Sequence, residues 1–296
     1  MVYLCWIINL APPFLSLPKI DIVYFMTLNL IKTTPISLLG PNDPPAVHKV
    51  NGGGQAPVII VCDHASDKVP LSLGGLGLSK QEMGRHIAYD IGAAGVAEIL
   101  STQLDAPVLF SGFSRLVIDL NRPVDDFTSI REISDGVVVQ ANRRLSLAEI
   151  TQRNEELFWP YQKAVGDAIA QKCTGGHLPA IISVHSCTDK MRGHTRPWHI
   201  GVLMNKDRRM GDALISTLKL QNPGLCIGDN QPYSGMDPYG YTIETHAMPG
   251  GLPNVLLEIR QDLIRDAAGQ TEWGQIVSQA LKVVLADPHL YKAYTA

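Results

Sequence analysis

Pro57-Val58-Ile59-Ile60-Val61-Cys62 is a continuous apolar run, rich in β-branched side chains, that stops on Asp63-His64. A run without polar alternation predicts a strand buried on both faces of a largely parallel sheet, with helices covering each side. Two later runs repeat the pattern: Ile181-Ile182-Ser183-Val184 stops on His185, and Asn254-Val255-Leu256-Leu257 stops on Glu258. Shorter apolar segments at 108–110, 116–120 and 200–204 predict further strands. Helical patterns at 79–104, 146–173, 207–220 and 271–285 alternate with them. Ser79 with Glu82, and Ser146 with Glu149, have the capping-box spacing that starts a helix. The expected fold is α/β, a mostly parallel or mixed central sheet flanked by helices in a single domain. In such sheets chemistry gathers at the carboxyl edge of the strands. That edge is where Asp63-His64, His185 and Glu258 would meet, and none of them is cheap to bury without a partner.

Composition narrows the class of protein. The chain has 296 residues, 45% of them hydrophobic and 18% charged, with a net charge of −3 and no long basic run. These values argue against disorder, against nucleic acid as a partner and against an anionic membrane surface. The five cysteines, Cys5, Cys62, Cys173, Cys187 and Cys226, are scattered and lack C-x-x-C spacing. Reduced thiols in a cytoplasmic protein are expected, rather than a disulfide framework or a zinc knuckle. The apolar stretch 1–18 has no basic leader and is broken by Pro12, Pro13 and Pro18, so it is not read as a membrane span. Met26 is the expected natural start, with a degenerate signal peptide as the alternative. Residues 33–56 are rich in Pro, Gly and Asn and read as a loop or arm. Residues 1–45 are therefore assigned to an N-terminal extension, disordered or outside the natural start, and 46–296 to the functional domain. Oligomeric state is not legible.

Several polar clusters carry candidate chemistry. His64 and Asp67, three residues apart, could supply two metal ligands from one tight turn. Asp90, inside an otherwise apolar stretch, competes with Asp67 for the role of third ligand. His185 has Ser186 and Thr188 nearby to orient it. Arg115, Asp119 and Asn121 are expected on one face of an extended segment, with Arg122 following. Arginine forks suit a carboxylate, although Arg115 could simply pair with Asp119. Glu258 is the expected general base, with Arg260 or Asp262 beside it, and a buried Glu–Arg pair is the bland alternative. Arg196 and His199, near His194 and Trp198, and His246, before Pro249-Gly250-Gly251, are expected at a substrate pocket or lid. Cys62 and Cys187 leave a cysteine hydrolase open, and the arginines leave open a carboxylate-binding protein without catalysis. No G-x-S-x-G, P-loop or G-x-G-x-x-G stands in the right context.

Five blocks occur in an order that resembles the N-formylglutamate amidohydrolase family. They are Val61-Cys62-Asp63-His64-Ala65-Ser66, Tyr89-Asp90-Ile91-Gly92-Ala93, Ser114 through Pro123, Arg196-Pro197-Trp198-His199, and Glu258-Ile259-Arg260-Gln261-Asp262. The resemblance runs from about residue 57 to 263. It implies a fold like that of zinc carboxypeptidases and aspartoacylases, and one divalent metal ion, zinc, held by His64, His185 and either Asp67 or Asp90. It further implies that Arg115 polarises the scissile carbonyl, that Asn121 and Arg122 hold a substrate carboxylate, and that Glu258 activates water. Relatives often carry Asn where this chain has Asp67, which shifts weight to Asp90. The implied substrate is a small N-acyl amino acid such as N-formyl-L-glutamate, and the implied setting is amino-acid metabolism, histidine degradation included. An amidase or carboxypeptidase acting on another carboxylate-bearing substrate is the alternative.

Overall fold

The structure is a computed structural model, and it describes residues 37–173, 177–236 and 240–295. In chain order the strands are β1 (Val47–Val50), β2 (Val58–Cys62), β3 (Val108–Ser111), β4 (Ile133–Ser134), β5 (Val137–Val138), β6 (Ala180–Cys187), β7 (Lys190–Met191), β8 (His194–Thr195), β9 (Ile200–Leu203), β10 (Ile227–Asp229) and β11 (Asn254–Arg260). The helices are α1 (Lys80–Met83), α2 (Ala93–Leu104), α3 (Leu147–Arg153), α4 (Trp159–Lys172), α5 (Arg209–Gln221), α6 (Thr242–His246) and α7 (Ala267–Leu285).

Seven strands form one mixed sheet in the order β1-β3-β2-β6-β11-β9-β10. The four central strands, β3, β2, β6 and β11, are parallel, and β1 and the β9–β10 pair run against them. The fold class is thus α/β with a mixed sheet, as expected. The all-apolar runs are central because neither face meets water: every residue of β2 is buried. One face packs Ile60, Ile182, Val202 and Leu257 against α2, α5 and α7. The other packs Ile59, Val61 and Ile181 against Phe158, Tyr161 and Val165. Pairing places Ser183, His185, Leu256, Glu258 and Leu203 on that second face, where alternate residues of a strand must lie. Because β2, β6 and β11 are parallel, their carboxyl ends meet at one edge. Among the described residues no helix is long and apolar enough to cross a membrane.

Three expectations change. Residues 79–104 are not one helix: α1 has the expected capping box, but Gly84 caps it, and the chain reverses at Gly92 before α2 begins. Gly92 sits at φ +81°, and a Cβ there would lie 2.0 Å from the Ile264 carbonyl oxygen, so the turn takes only glycine. Residues 116–120 are not a strand but a chain of turns. Val117 N–H donates to the Ser114 carbonyl, Arg122 N–H to that of Asp119, and Asn121 N–H to the Asp119 carboxylate. The helical stretch from Ser146 has its capping box but is two helices joined by a π-turn, in which Trp159 N–H reaches back five residues to Asn154. Strands β1 and β10 and the small hairpins β4–β5 and β7–β8 were not expected. The β4–β5 turn is Asp135-Gly136, both at positive φ.

Residues 37–45 fell in the expected extension. Leu38 is buried, and the Leu38 and Leu39 amides and the Ser37 hydroxyl all donate to the Glu156 carboxylate beside the π-turn. The apolar leader, Met26 and Cys5 lie outside the described residues.

Candidate metal and active site

Tight turns deliver the site's polar groups to the carboxyl edge. His64 follows β2 by two residues, and its carbonyl accepts the Asp90 amide at 2.9 Å, which brings the Gly92 turn onto it. The same loop is tied to the next segment by the Arg115 amide and the Ser114 hydroxyl, both donating to the Ala88 carbonyl. His185 and Glu258 are register partners on adjacent strands.

Asp90 is the centre of the group. Its Oδ2 lies 2.8 Å from His185 Nδ1 and 3.3 Å from His64 Nδ1, and its Oδ1 lies 3.3 Å from Arg115 Nη1. The far nitrogens of both histidines are also engaged. His64 Nε2 lies 2.7 Å from Asp119 Oδ1, and His185 Nε2 lies 3.0 Å from Ser183 Oγ and 3.3 Å from Asp63 Oδ2. Asp63 is held in turn by the Tyr161 and Thr242 hydroxyls, at 2.7 and 3.0 Å. Arg115 donates to Asp119 from both Nε and Nη2. Acids alternate with nitrogen-bearing side chains along the chain Asp63, His185, Asp90, His64, Asp119, Arg115, so every buried carboxylate in it has a hydrogen-bond partner on either hand or a hydroxyl in its place.

This arrangement sets the protonation states. Burial alone would raise the Asp90 carboxyl, but the charges and hydrogen bonds of His64 and His185 hold it far below the usual carboxylate range. Asp119 is likewise brought down against burial, by Arg115 and His64. Burial would lower the His185 imidazole, yet hydrogen bonds to Asp63 and Asp90 push it up to about 10. Glu258 goes the other way: burial raises its carboxyl to about 7, with Asp90 adding to the effect and His185 opposing it. Glu258 Oε2 is buried without a hydrogen-bond partner.

A group of two imidazoles and a carboxylate, His64, Asp90 and His185, offers ligand atoms that all lie within 4.8 Å of one another. The donor types suit zinc, and each histidine has a partner on its other nitrogen, as metal-ligating histidines ordinarily do. The residues present therefore fit a divalent ion. Asp67, the alternative third ligand, is exposed and stands outside this group, because the turn after His64 points it to solvent while Gly92 returns Asp90 inward.

A cavity of about 760 Å³ opens over the group, lined by His64, Asp90, Arg115, His185 and Glu258 and also by Asn121, Arg122 and Arg131. Asn121 Oδ1 accepts the Tyr241 and Thr242 amides, which leaves its amino group as the remaining donor. Arg115 pairs with Asp119, as its bland reading has it, and still lines the cavity: three of its five N–H groups are engaged. Arg260 pairs with Asp262 and not with Glu258. Arg196 acts at one remove, donating to the hydroxyl of Tyr233, which lines the cavity. His199 and His246 do not line it. His199 accepts the Cys226 amide and stacks on Trp273, and His246 bonds Gln162. Sequence reasoning placed Asp63 at this edge without giving it a role, and passed over Arg131. An acid directly after a doubly buried strand was the available signal for Asp63, and Arg131 had none.

The thiols are poor nucleophiles. Burial raises the Cys62 thiol well above its ordinary value and pushes that of Cys187 up to about 12. Alkylation under native conditions is expected to label the exposed Cys173 and Cys226 and leave turnover intact. Loss of activity on modifying Cys62 or Cys187 would restore the cysteine-hydrolase reading.

Comparison with known proteins gives a consistent result. The family profile described as N-formylglutamate amidohydrolase matches residues 56–265. A crystal structure of a gene product from Agrobacterium tumefaciens superposes with a TM-score of 0.80 at 32% identity, covering 84% of this chain and 98% of that one. The crystal structure of N-formylglutamate amidohydrolase from Ralstonia eutropha superposes with a TM-score of 0.60 at 16% identity, covering 81% and 97%. No curated protein sequence matched the chain.

Proposed function

The chain belongs to the N-formylglutamate amidohydrolase family and is a hydrolase acting on an amide, and we propose that it is metal-dependent and cleaves a small N-acyl acidic amino acid, N-formyl-L-glutamate being the type substrate. The observation that supports metal dependence is the His64, Asp90, His185 group beside a buried carboxylate oxygen, Glu258 Oε2, that has no hydrogen-bond partner among the described residues. Zinc held by those three residues would supply Lewis acidity to the scissile carbonyl.

The chain's own residues do the rest. Glu258 takes the proton of the attacking water and passes it to the leaving amine, a role suited to a carboxyl raised to about 7. The two remaining N–H groups of Arg115 steady the negative charge that develops on the carbonyl oxygen. The Asn121 amino group and Arg122 hold the substrate's α-carboxylate. Asp63 and Asp119 fix the two imidazoles through their far nitrogens. Arg196 holds Tyr233 against the cavity. His246 and His199 keep no part in this reading. A cytoplasmic location is consistent with four unpaired cysteines among the described residues.

The test is a panel of N-acyl amino acids assayed with the purified full chain, with zinc and after chelation, alongside metal analysis. Acidic N-formyl substrates are expected to turn over, with at least a hundredfold loss on chelation and recovery on adding zinc. Hydrolysis that survives removal of all metal would overturn metal dependence. Turnover confined to neutral amino acids would overturn the substrate assignment.

A further inference from the structure

The cavity lining holds a cation that the proposed chemistry leaves unused. Arg131 lines the cavity together with Arg115 and Arg122. Arg115 is matched by Asp90 and Asp119, whereas no hydrogen bond or ion pair reaches the Arg131 guanidinium among the described residues, and its Nε is buried without a partner. Burial and the positive charge of Arg115 push this guanidinium down from its ordinary value, with Arg122 adding to the effect and Asp119 and Asp126 opposing it. A buried N–H without an acceptor is costly, and guanidinium groups lining one cavity repel each other. Both costs fall when an anion enters.

The position is built rather than incidental. Asn142 Nδ2 donates to the carbonyls of both Leu116 and Arg131, each at 2.8 Å. The Asp119 amide donates to the Ser129 carbonyl at 2.8 Å. Arg153, one of the largest fully buried side chains, donates from Nη1 to the Val117 carbonyl and to Asn142 Oδ1. These bonds lock the backbone carrying Arg131 to the segment carrying Arg115 and Arg122, so the Cα of Arg131 is held at a fixed offset from the other two.

We propose that Arg131 is the specificity-determining residue for the substrate side chain, receiving a second carboxylate while the first lies at Asn121 and Arg122. This inference rests on the proposed substrate class and adds to it the residue that separates acidic from neutral side chains. Arg131 does not touch the scissile amide, so its removal should change selectivity more than chemistry.

Binding and turnover test it separately. Glutarate and its monoamide differ by one charge, and titration calorimetry on the full chain should show glutarate at least about 30-fold tighter, as a buried, hydrogen-bonded charge pair gives. In Arg131→Met that ratio is expected to fall below about threefold, with a ligand-free melting temperature at or above that of wild type. Arg131→Lys should keep part of the preference, and it serves as the test if the Met variant fails to fold. For N-formyl-L-glutamate against N-formyl-L-glutamine, the kcat/KM preference should collapse by the same factor, through KM more than kcat. A glutarate preference that survives both substitutions, or equal losses for both substrates, would overturn the role of Arg131. If neither formyl substrate is hydrolysed, the substrate assignment fails, and the glutarate measurement still decides whether Arg131 binds the anion.

Discussion

Glu258→Gln is expected to lower kcat by about 10²–10⁴-fold, the contribution of a positioned general base, while zinc affinity stays within about threefold. Glutamine preserves the shape and removes the proton acceptor, and Glu258 is not one of the three grouped ligands. The wild-type pH profile should carry an acidic limb at or below about 7, since the base must be ionised and a nearby dication lowers the metal-free value of about 7. Turnover rises with pH through that limb. The variant should also shift stability. The folded value of Glu258 lies above the ordinary carboxylate value of 4.5, so its stabilising effect is complete below pH 4.5 and is lost as pH rises through 7. Without metal at pH 8, Glu258→Gln should be more stable than wild type by about 1–3 kcal/mol in urea unfolding. Wild-type turnover in the variant would exclude Glu258 as the base.

Asp90→Ala should be the most damaging single change. Asp90 touches His64, His185 and Arg115 at once, and deleting the common partner leaves buried positive groups uncompensated, a loss of about 3–5 kcal/mol. Zinc affinity should fall at least about 100-fold, more than losing a group that only orients a ligand. Asp90→Asn keeps the volume and serves if the alanine variant does not fold. Asp67→Ala should change neither quantity, by less than about 0.5 kcal/mol for stability; weakened zinc binding there would reinstate Asp67 as a ligand. Asp63 and Asp90 together also set a pH effect. His185 is raised in the folded, metal-free chain from 6.5 to about 10, so its contribution is full below pH 6.5 and is lost as pH rises through 10. Metal-free wild type should therefore lose stability between pH 6.5 and 10, and Asp90→Ala should lose less over that range, Asp63 still raising His185. Equal slopes would show that Asp90 does not set the protonation of His185.

The strand ends were legible because a strand buried on both faces admits almost nothing polar, so the ionisable residues that end β2, β6 and β11 stood out. Their convergence followed from the alternation of strands and helices, which makes the central strands parallel. The choice between Asp67 and Asp90 was not legible. Nearness in sequence favoured Asp67, and only the Gly92 reversal against Ile264 shows why Asp90 is the one returned to His64. The turns at 114–122 have strand-like composition, and their shape comes from tertiary bonds to Ser129, Asn142 and Arg153. Strand β1, with His48 and Lys49 on an edge, is too short and polar to stand out from the Pro- and Gly-rich segment around it. Arg131 was invisible for the opposite reason. A surface arginine and an arginine waiting for an anion read alike until the cavity is seen.

The alternating chain from Asp63 to Arg115 has a consequence for how this centre can diverge. Each member is the hydrogen-bond partner of its neighbours, so the effect of one replacement depends on which others have already changed, with couplings of about 0.5–3 kcal/mol between touching groups. A substitution that is lethal alone becomes tolerable after its neighbour has gone. Replacements at the centre are therefore expected to succeed only in pairs and in order, while Arg131 in the cavity lining can be replaced alone, so substrate preference should be easier to change than chemistry.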